Sequence, residues 1–471
     1  MKKFTIGFIF FIAVASAFAQ ERKVIGLGRG EIIYINKNDT TEKIPLEGMD
    51  LTWMNGNDRR DSAVLKGKFI TGNIMVDANY NYSFNAPIDN TVVGSTALAR
   101  NNEIQISNAS LGADLNYKGA RGRIFTQFGT RSTVIPRNDF STFRGQYNLA
   151  DVYRYLSEAY GGYHFNKWYG INVDVGLFTS YVGLFSYYQQ ENWAYQASFT
   201  SDNTPWFFNG MRVQIFPTKK LKAEVWIVNG WQSYGRFNSS PGLGLQLAWV
   251  PNENVKLLTN NYYGTDAADP IKGGLSHRKR FHSDNSFLLR YVNRPKSKGI
   301  SKVAFSVTGD FGFESGDGVT AFGGAGGPAQ NFISGMVYHR VWFNRNQFAW
   351  TVGGGFMHNP GRYLVLYPTG DASPLPNPNN PTQTAGTHPF STGPGDQFDG
   401  WDASTNFDWL PNQSVTFRIE LVHREASVPY FAGPGGVTSP SGYTTTPLPA
   451  NWAPDLTKCE TRVIFAMLFR I

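Results

Sequence analysis

Seven histidines, one cysteine and 35 acidic residues are the side chains of this 471-residue chain best suited to catalysis or metal binding. The histidines are scattered. None stands in an H-E-x-x-H arrangement, which would bring two imidazoles and a general base to one helix face. Asp310, Glu314 and Asp317 crowd together but lack the ligand spacing and closing glutamate of an EF-hand. Cys459 stands alone, which excludes an internal disulfide and any multi-cysteine zinc site. Gly26-Leu27-Gly28-Arg29-Gly30 neither follows a clear strand nor opens a helix, as a phosphate-binding loop must. A hydrolase would need a serine beside a base such as His423, and nothing in the sequence singles out such a pair. The chain is therefore read as a protein that is not an enzyme, with no cofactor and no metal.

The charged residues do share a pattern. Asp77, Arg123, Gln127, Arg131, Glu158, Asp174, Arg212, Glu224, Arg290, Asp310, Asp402, Arg418 and Glu420 fall on the polar parity of segments that alternate with a period of two. In a membrane barrel the other parity meets lipid, where an Arg or Lys at mid-bilayer costs about 2–4 kcal/mol. These side chains are therefore expected to line a wet pore. Rings of charge of both signs there would favour polar solutes over apolar ones, and many of the charges should also pair with each other and stiffen the wall.

The elements that must carry them are strands. Ile70, Gly72, Ile74, Val76, Ala78, Tyr80, Tyr82 and Phe84 alternate with Thr71, Asn73, Met75, Asp77, Asn79, Asn81 and Ser83. That run is longer than a typical globular strand. The rhythm returns at Ile171–Leu177, Val303–Phe311, Trp401–Trp409, Val415–Leu421 and Val463–Ile471. Segments of this kind, from 68–84 to 457–471, number about sixteen, and their connections alternate short and long. Lys118-Gly119-Ala120, Thr218-Lys219, Asn252-Glu253-Asn254, Asn344-Arg345-Asn346 and Pro411-Asn412-Gln413 are short turns. Residues 133–153, 183–204, 359–396 and 427–456 form long loops. Short periplasmic turns, long extracellular loops and an even strand number describe an outer-membrane barrel. The expected fold is thus all-β, a transmembrane antiparallel up-and-down β-barrel of about sixteen strands. A barrel of that size encloses an aqueous channel unless something fills it.

Composition and termini agree. Met1-Lys2-Lys3, an apolar run to Ala15 and Ala17-Phe18-Ala19 make a secretory signal peptide over 1–19. Residues 20–66 lack sustained alternation and are read as an N-terminal periplasmic extension, and 67–471 as the barrel. Aromatic residues reach 15% and glycines number 50, yet mean hydropathy is −0.31, as expected when only alternate residues meet lipid. A net charge of +8 is modest for this length. It suits contact with anionic lipopolysaccharide or a mild anion preference, and no nucleic-acid partner is expected. The run His277-Arg278-Lys279-Arg280 is a candidate for lipopolysaccharide phosphates or anionic solutes, or a solvated loop. The loop 183–204 carries Tyr187, Tyr188, Trp193, Tyr195 and Phe199. Folded inward it would form a constriction; the other reading is an aromatic girdle at the membrane boundary.

Several stretches go beyond alternation. Asn203-Thr204-Pro205-Trp206-Phe207-Phe208-Asn209-Gly210 is the clearest, preceded by Glu158-Ala159-Tyr160, Asp174-Val175-Gly176-Leu177-Phe178 and Asn192-Trp193-Ala194-Tyr195, and followed by Val228-Asn229-Gly230-Trp231-Gln232. In this order they resemble the putative β-barrel porin-2 family of porin-like outer-membrane proteins, over roughly residues 50 to 291. The resemblance implies an outer-membrane channel and supplies no catalytic residues. The final strand also resembles the signal read by the outer-membrane assembly machinery, although Ile471, not an aromatic residue, stands last. The reading is a porin-like channel for passive diffusion of small hydrophilic solutes, as a monomer or a homo-oligomer. The alternative is a loop-closed barrel that binds or anchors partners.

Overall fold

The computed structural model describes residues 24–26, 32–34, 43–136, 139, 141, 144–270, 274–324, 329–361, 363–364 and 397–471. The signal peptide, most of the 26–30 glycine run and most of the 359–396 loop lie outside these residues. A short pair, Val24–Gly26 with Ile32–Tyr34, precedes the main body.

Sixteen antiparallel strands close into a single barrel. They are β1 (Ile70–Ser83), β2 (Ile104–Tyr117), β3 (Ala120–Thr126), β4 (Leu156–Phe165), β5 (Ile171–Thr179), β6 (Phe207–Thr218), β7 (Leu221–Val228) and β8 (Gly242–Asn252). The second half comprises β9 (Val255–Gly264), β10 (Lys279–Asn293), β11 (Ile300–Ser315), β12 (Asn331–Phe343), β13 (Phe348–Asn359), β14 (Phe398–Trp409), β15 (Val415–Ala426) and β16 (Cys459–Arg470). Each pairs with its neighbours in sequence, and β16 closes on β1, with Phe465 opposite Tyr80. Closure leaves no unpaired strand edge, which is how a sheet satisfies its backbone in lipid. The strand β3 is short, with seven residues. The chain leaves the wall after Thr126 and turns into a short helix, Arg131–Val134.

The two-residue period sets which face each side chain takes. Along β15, Thr416, Arg418, Glu420, Val422 and Arg424 are buried, while Phe417, Ile419 and Leu421 are exposed. The outward face is apolar, including Val225, Leu243, Val337 and Phe407. Such a surface in water would be costly, whereas lipid covers it without loss. Aromatic clusters sit near both rims on this face: Phe69–Tyr117, Tyr163–Phe165 and Trp409–Phe417 at the short-turn end, and Tyr82–Phe84 and Phe281–Phe313 at the long-loop end. The turns at the short-turn end are tight. Between β2 and β3, Lys118 (φ 49°) and Gly119 (φ 85°) form a two-residue link with both residues left-handed, the geometry that matches strand twist.

Candidate functional site

The site is the barrel interior. Inward-facing charges and amides come from nearly every strand, interspersed with buried apolar and aromatic side chains such as Phe216, Leu288, Met336, Tyr338, Val422 and Ile464. One row of directly opposed residues runs around half of it: His164, Asn172, Gln214, Glu224, Gln246, Asn260, Asp284 and Asp310. Asn172 Nδ2 donates to Gln214 Oε1 at 3.0 Å, Gln214 Nε2 to Glu224 Oε1 at 2.8 Å, and Gln246 Nε2 to Asn260 Oδ1 at 2.7 Å. Amide side chains serve here because each both donates and accepts, so the chain of bonds can continue from strand to strand.

Ion pairs hold the wall elsewhere. Arg123 reaches Asp114 at 2.7 Å and Glu158 at 3.3 Å. Arg212 pairs with Asp174 at 2.9 Å and lies over the rings of Tyr160, Phe178 and Trp226. Glu224 takes Lys222 at 2.7 Å and the Trp226 indole N–H at 2.9 Å. Arg418 grips Asp408 through Nε (2.7 Å) and Nη2 (2.8 Å), and Arg340 meets the same carboxylate at 2.6 Å.

Two segments enter the lumen and cover these groups. The first is the loop between β5 and β6, residues 180–206. Tyr187, Tyr188, Trp193, Tyr195 and Phe199 are all buried inside the barrel. Glu420 accepts the backbone N–H groups of Tyr195 (2.6 Å) and Gln196 (2.9 Å). Asp402 accepts from the Ser198 hydroxyl (2.8 Å) and the Phe199 N–H (2.9 Å). The Tyr195 hydroxyl donates to Asp77 at 2.8 Å and lies 3.0 Å from Ser107 Oγ. Ser107 points inward because a β-bulge in β2 turns it and Asn108 to the same side, a common way to re-aim a side chain. The Tyr188 hydroxyl reaches Glu158 at 2.7 Å, and Arg131, in the helix after β3, binds the Tyr187 carbonyl.

The second segment is a strap of residues 44–62, part of the stretch set before the barrel in the sequence reading. It lies across the short-turn mouth. Leu46 N–H bonds Lys219 O (2.8 Å) in the β6–β7 turn, and Trp53 Nε1 bonds Glu253 O (2.9 Å) in the β8–β9 turn. Asp50 meets Arg290 at 2.5 Å and Lys302 at 3.5 Å. Arg59 then reaches Asn412 O (2.7 Å) in the β14–β15 turn. In a closed ring of sixteen strands, the β6–β7 and β14–β15 turns lie eight strands apart, on opposite sides. The strap therefore reaches from one side of the mouth to the other. Gly56 (φ 79°) lies against the inward loop, where a Cβ would stand 2.2 Å from Leu184 O. Only glycine fits both that conformation and that distance.

With both segments in place, Asp77, Arg123, Arg131, Glu158, Asp174, Arg212, Glu224, Arg290, Asp310, Asp402, Arg418 and Glu420 are all buried within the barrel. Their burial departs from the expectation of a wide aqueous lumen. The physical reason is that the loop and the strap cover the wall and bond Asp77, Arg131, Glu158, Arg290, Asp402 and Glu420, while Arg123, Asp174, Arg212 and Glu224 pair within the wall. A polar cavity remains beside β4–β9, lined by Glu158, Arg212, Lys222, Glu224, Gln246 and Lys256.

Sequence reasoning missed the strap residues Asp50, Trp53, Asp58 and Arg59, and wall residues such as Arg340, Asp408, Arg424, Arg462 and Arg470. The wall set was readable from strand parity. For the strap, the signal was the apolar cluster Leu51-Thr52-Trp53-Met54 in an otherwise polar stretch. The basic run does not stand free in solvent: Arg278 and Arg280 both turn to Glu314, through Nε at 2.8 and 3.0 Å. Among the described residues, no group of three histidine, cysteine or acidic side chains is arranged as a metal centre.

The family model described as putative beta-barrel porin-2, OmpL-like, matches residues 70–446. No curated protein matches the chain. Outer-membrane expressed OmpT of Vibrio cholerae superposes with a TM-score of 0.47 at 6% identity, over 86% of this chain and 99% of that one. The outer-membrane channel DcaP of Acinetobacter baumannii gives 0.44 at 10% identity, over 85% and 97% of the two chains. An anion-selective porin from Comamonas acidovorans gives 0.45 at 9% identity, over 85% and 99%.

Proposed function

We propose that this chain, which belongs to the putative β-barrel porin-2, OmpL-like family and is a protein of the cell outer membrane, is a channel for passive diffusion of small hydrophilic solutes. The observation that supports this reading is the inward face itself. A barrel built only to be rigid could fill its lumen with apolar side chains, whereas this one keeps charges of both signs and amides there. Such a wall can exchange its hydrogen bonds for those of a passing polar solute. In this reading the 180–206 loop is the constriction, the strap 44–62 closes the periplasmic mouth at rest, and the polar cavity by Arg212 and Glu224 marks the path. The chemistry required is binding and release, with no catalytic role and no cofactor. Outer-membrane lipid and lipopolysaccharide surround the apolar belt, the assembly machinery inserts the barrel, and copies of the chain associate through that belt if it is oligomeric.

A second reading is a loop-closed barrel that binds or anchors partners. The burial of the whole set of inward charges favours it. Single-channel recording of the purified, folded mature chain in a planar bilayer separates the two. Stepwise openings, with a reversal potential under a salt gradient, support the diffusion channel. Silence from protein shown to be folded removes it and leaves the closed barrel.

A further inference from the structure

Across the interior, carboxylates meet cations or N–H donors: Asp174 meets Arg212, Asp408 meets Arg418 and Arg340, and Glu420 meets two backbone amides. The end of the amide row is different. Asp284 on β10 and Asp310 on β11 stand directly opposite one another on the inward face. Both side chains are buried. Like charges directly opposed across a strand pair repel, and burial sharpens the repulsion.

Among the described residues, neither oxygen of Asp310 has a hydrogen-bond donor, and the Ser334 hydroxyl, directly opposite Asp310 on β12, also has no partner. The nearest imidazole nitrogen, His282 Nε2, is 3.5 Å from Asp310 Oδ2. That ring is held by the Tyr363 hydroxyl at its Nδ1 (2.8 Å) and by stacking on Phe332 and Tyr363. Arg280, two residues before it, is engaged by Glu314 and Asp266. Asn260 donates to Asp284 Oδ1 at 2.5 Å and so ties that carboxylate to the amide row.

We propose that Asp284 and Asp310 form a binding site for a hard cation of the Ca2+ type, completed by the Ser334 hydroxyl and water. Such ions take carboxylate and neutral oxygen ligands in flexible numbers. A cation between the two carboxylates removes their repulsion and occupies the Asp310 oxygens and Ser334 together, which a single shared proton cannot do. The site pins β10, β11 and β12 to one another in the upper half of the wall. It does not depend on whether the barrel conducts.

The test uses lipopolysaccharide-free, folded mature protein, stripped with chelator, and reads its unfolding temperature against CaCl2 at constant ionic strength. The expected result is a saturable rise of several degrees, because a ligand that binds only the folded state stabilises it. Asp310→Asn abolishes that rise, while its unfolding temperature in chelator equals or exceeds that of the parent, since the repulsion is gone. Ser334→Ala, which keeps both carboxylates, moves half-saturation to higher Ca2+. An absent Ca2+ response in the parent protein overturns the proposal, whatever the variants do. So does a response that survives in Asp310→Asn, or a stability set by pH alone, which would assign the pair to a shared proton or to protonated His282.

Discussion

Trp193, deep in the inward loop, donates its indole N–H to the backbone carbonyl of Trp53 in the strap at 3.0 Å. Its own backbone N–H bonds Asn55 Oδ1 at 2.9 Å. Both indoles are buried, Trp193 to 4% exposure and Trp53 to 1%, so the two segments that fill the lumen are joined to each other as well as to the wall. Displacing either one breaks bonds to the other.

Removing the strap should therefore open the barrel. Deletion of residues 20–62 from the mature chain is expected to give a larger and longer-lived single-channel conductance than the parent. Trp53→Ala should act in the same direction. Truncating a buried tryptophan costs on the order of 3–5 kcal/mol, and here much of that cost falls on strap docking. Open-state dwell times measure it. Unchanged conductance in the deletion would show that the strap does not obstruct the path.

Strap docking should weaken in acid. Burial alone would raise the Asp50 carboxyl, but Lys302, the Thr52 hydroxyl and Arg290 outweigh it and lower its pKa to about 2, from an ordinary 3.8. A depressed carboxyl contributes stability that is present above the unfolded value and lost as pH falls through the folded one. Open probability should then rise as pH falls from about 4 to about 2. In Asp50→Asn the channel should be more open at neutral pH and less responsive over that range. Recordings across the pH series check both.

Asp408 sits between Arg418 and Arg340. Asp408→Asn leaves two buried guanidinium groups short of a counter-charge, and the expected loss is about 3–5 kcal/mol. The double variant Asp408→Leu with Arg418→Met should lose less than the sum of its single changes, because only Arg340, and no longer Arg418, is left without its counter-charge. Denaturant midpoints of the folded protein in lipid vesicles give the comparison.

Orientation in the membrane has its own test. Val337, at the middle of β12, faces outward and is 51% exposed. Val337→Arg should destabilise the inserted barrel by about 2–4 kcal/mol. Tyr443→Arg, in the loop between β15 and β16, should stay within about 0.5 kcal/mol of the parent, as exposed loop changes do. Equal effects at the two positions would contradict an outward face in lipid.

The strand set was legible because its cause is local. A side chain's face follows from its position in a period of two, so the alternation at 70–84, 401–409 and 415–421 already separates lipid-facing from inward residues. The loop lengths tell which end is which. Arg123, Asp174 and Arg418 could thus be assigned to one face without knowing what they meet. Their partners were harder to read, because a strand shows its parity and does not show its register against a neighbour.

Residue order alone determined an even-stranded outer-membrane barrel with a polar inward face, since lipid forbids charge on one parity and unpaired backbone anywhere in the hydrocarbon. What occupies the lumen was decided only in three dimensions. Arg59 meets Asn412 across 353 residues, and Tyr195 meets Glu420 across 225. Asp284 meets Asp310 only because β10 and β11 pair in one register out of several. Such contacts have no periodic signature. They exist because a closed ring brings distant turns to opposite sides of one mouth, and a strap of the right length can then span it.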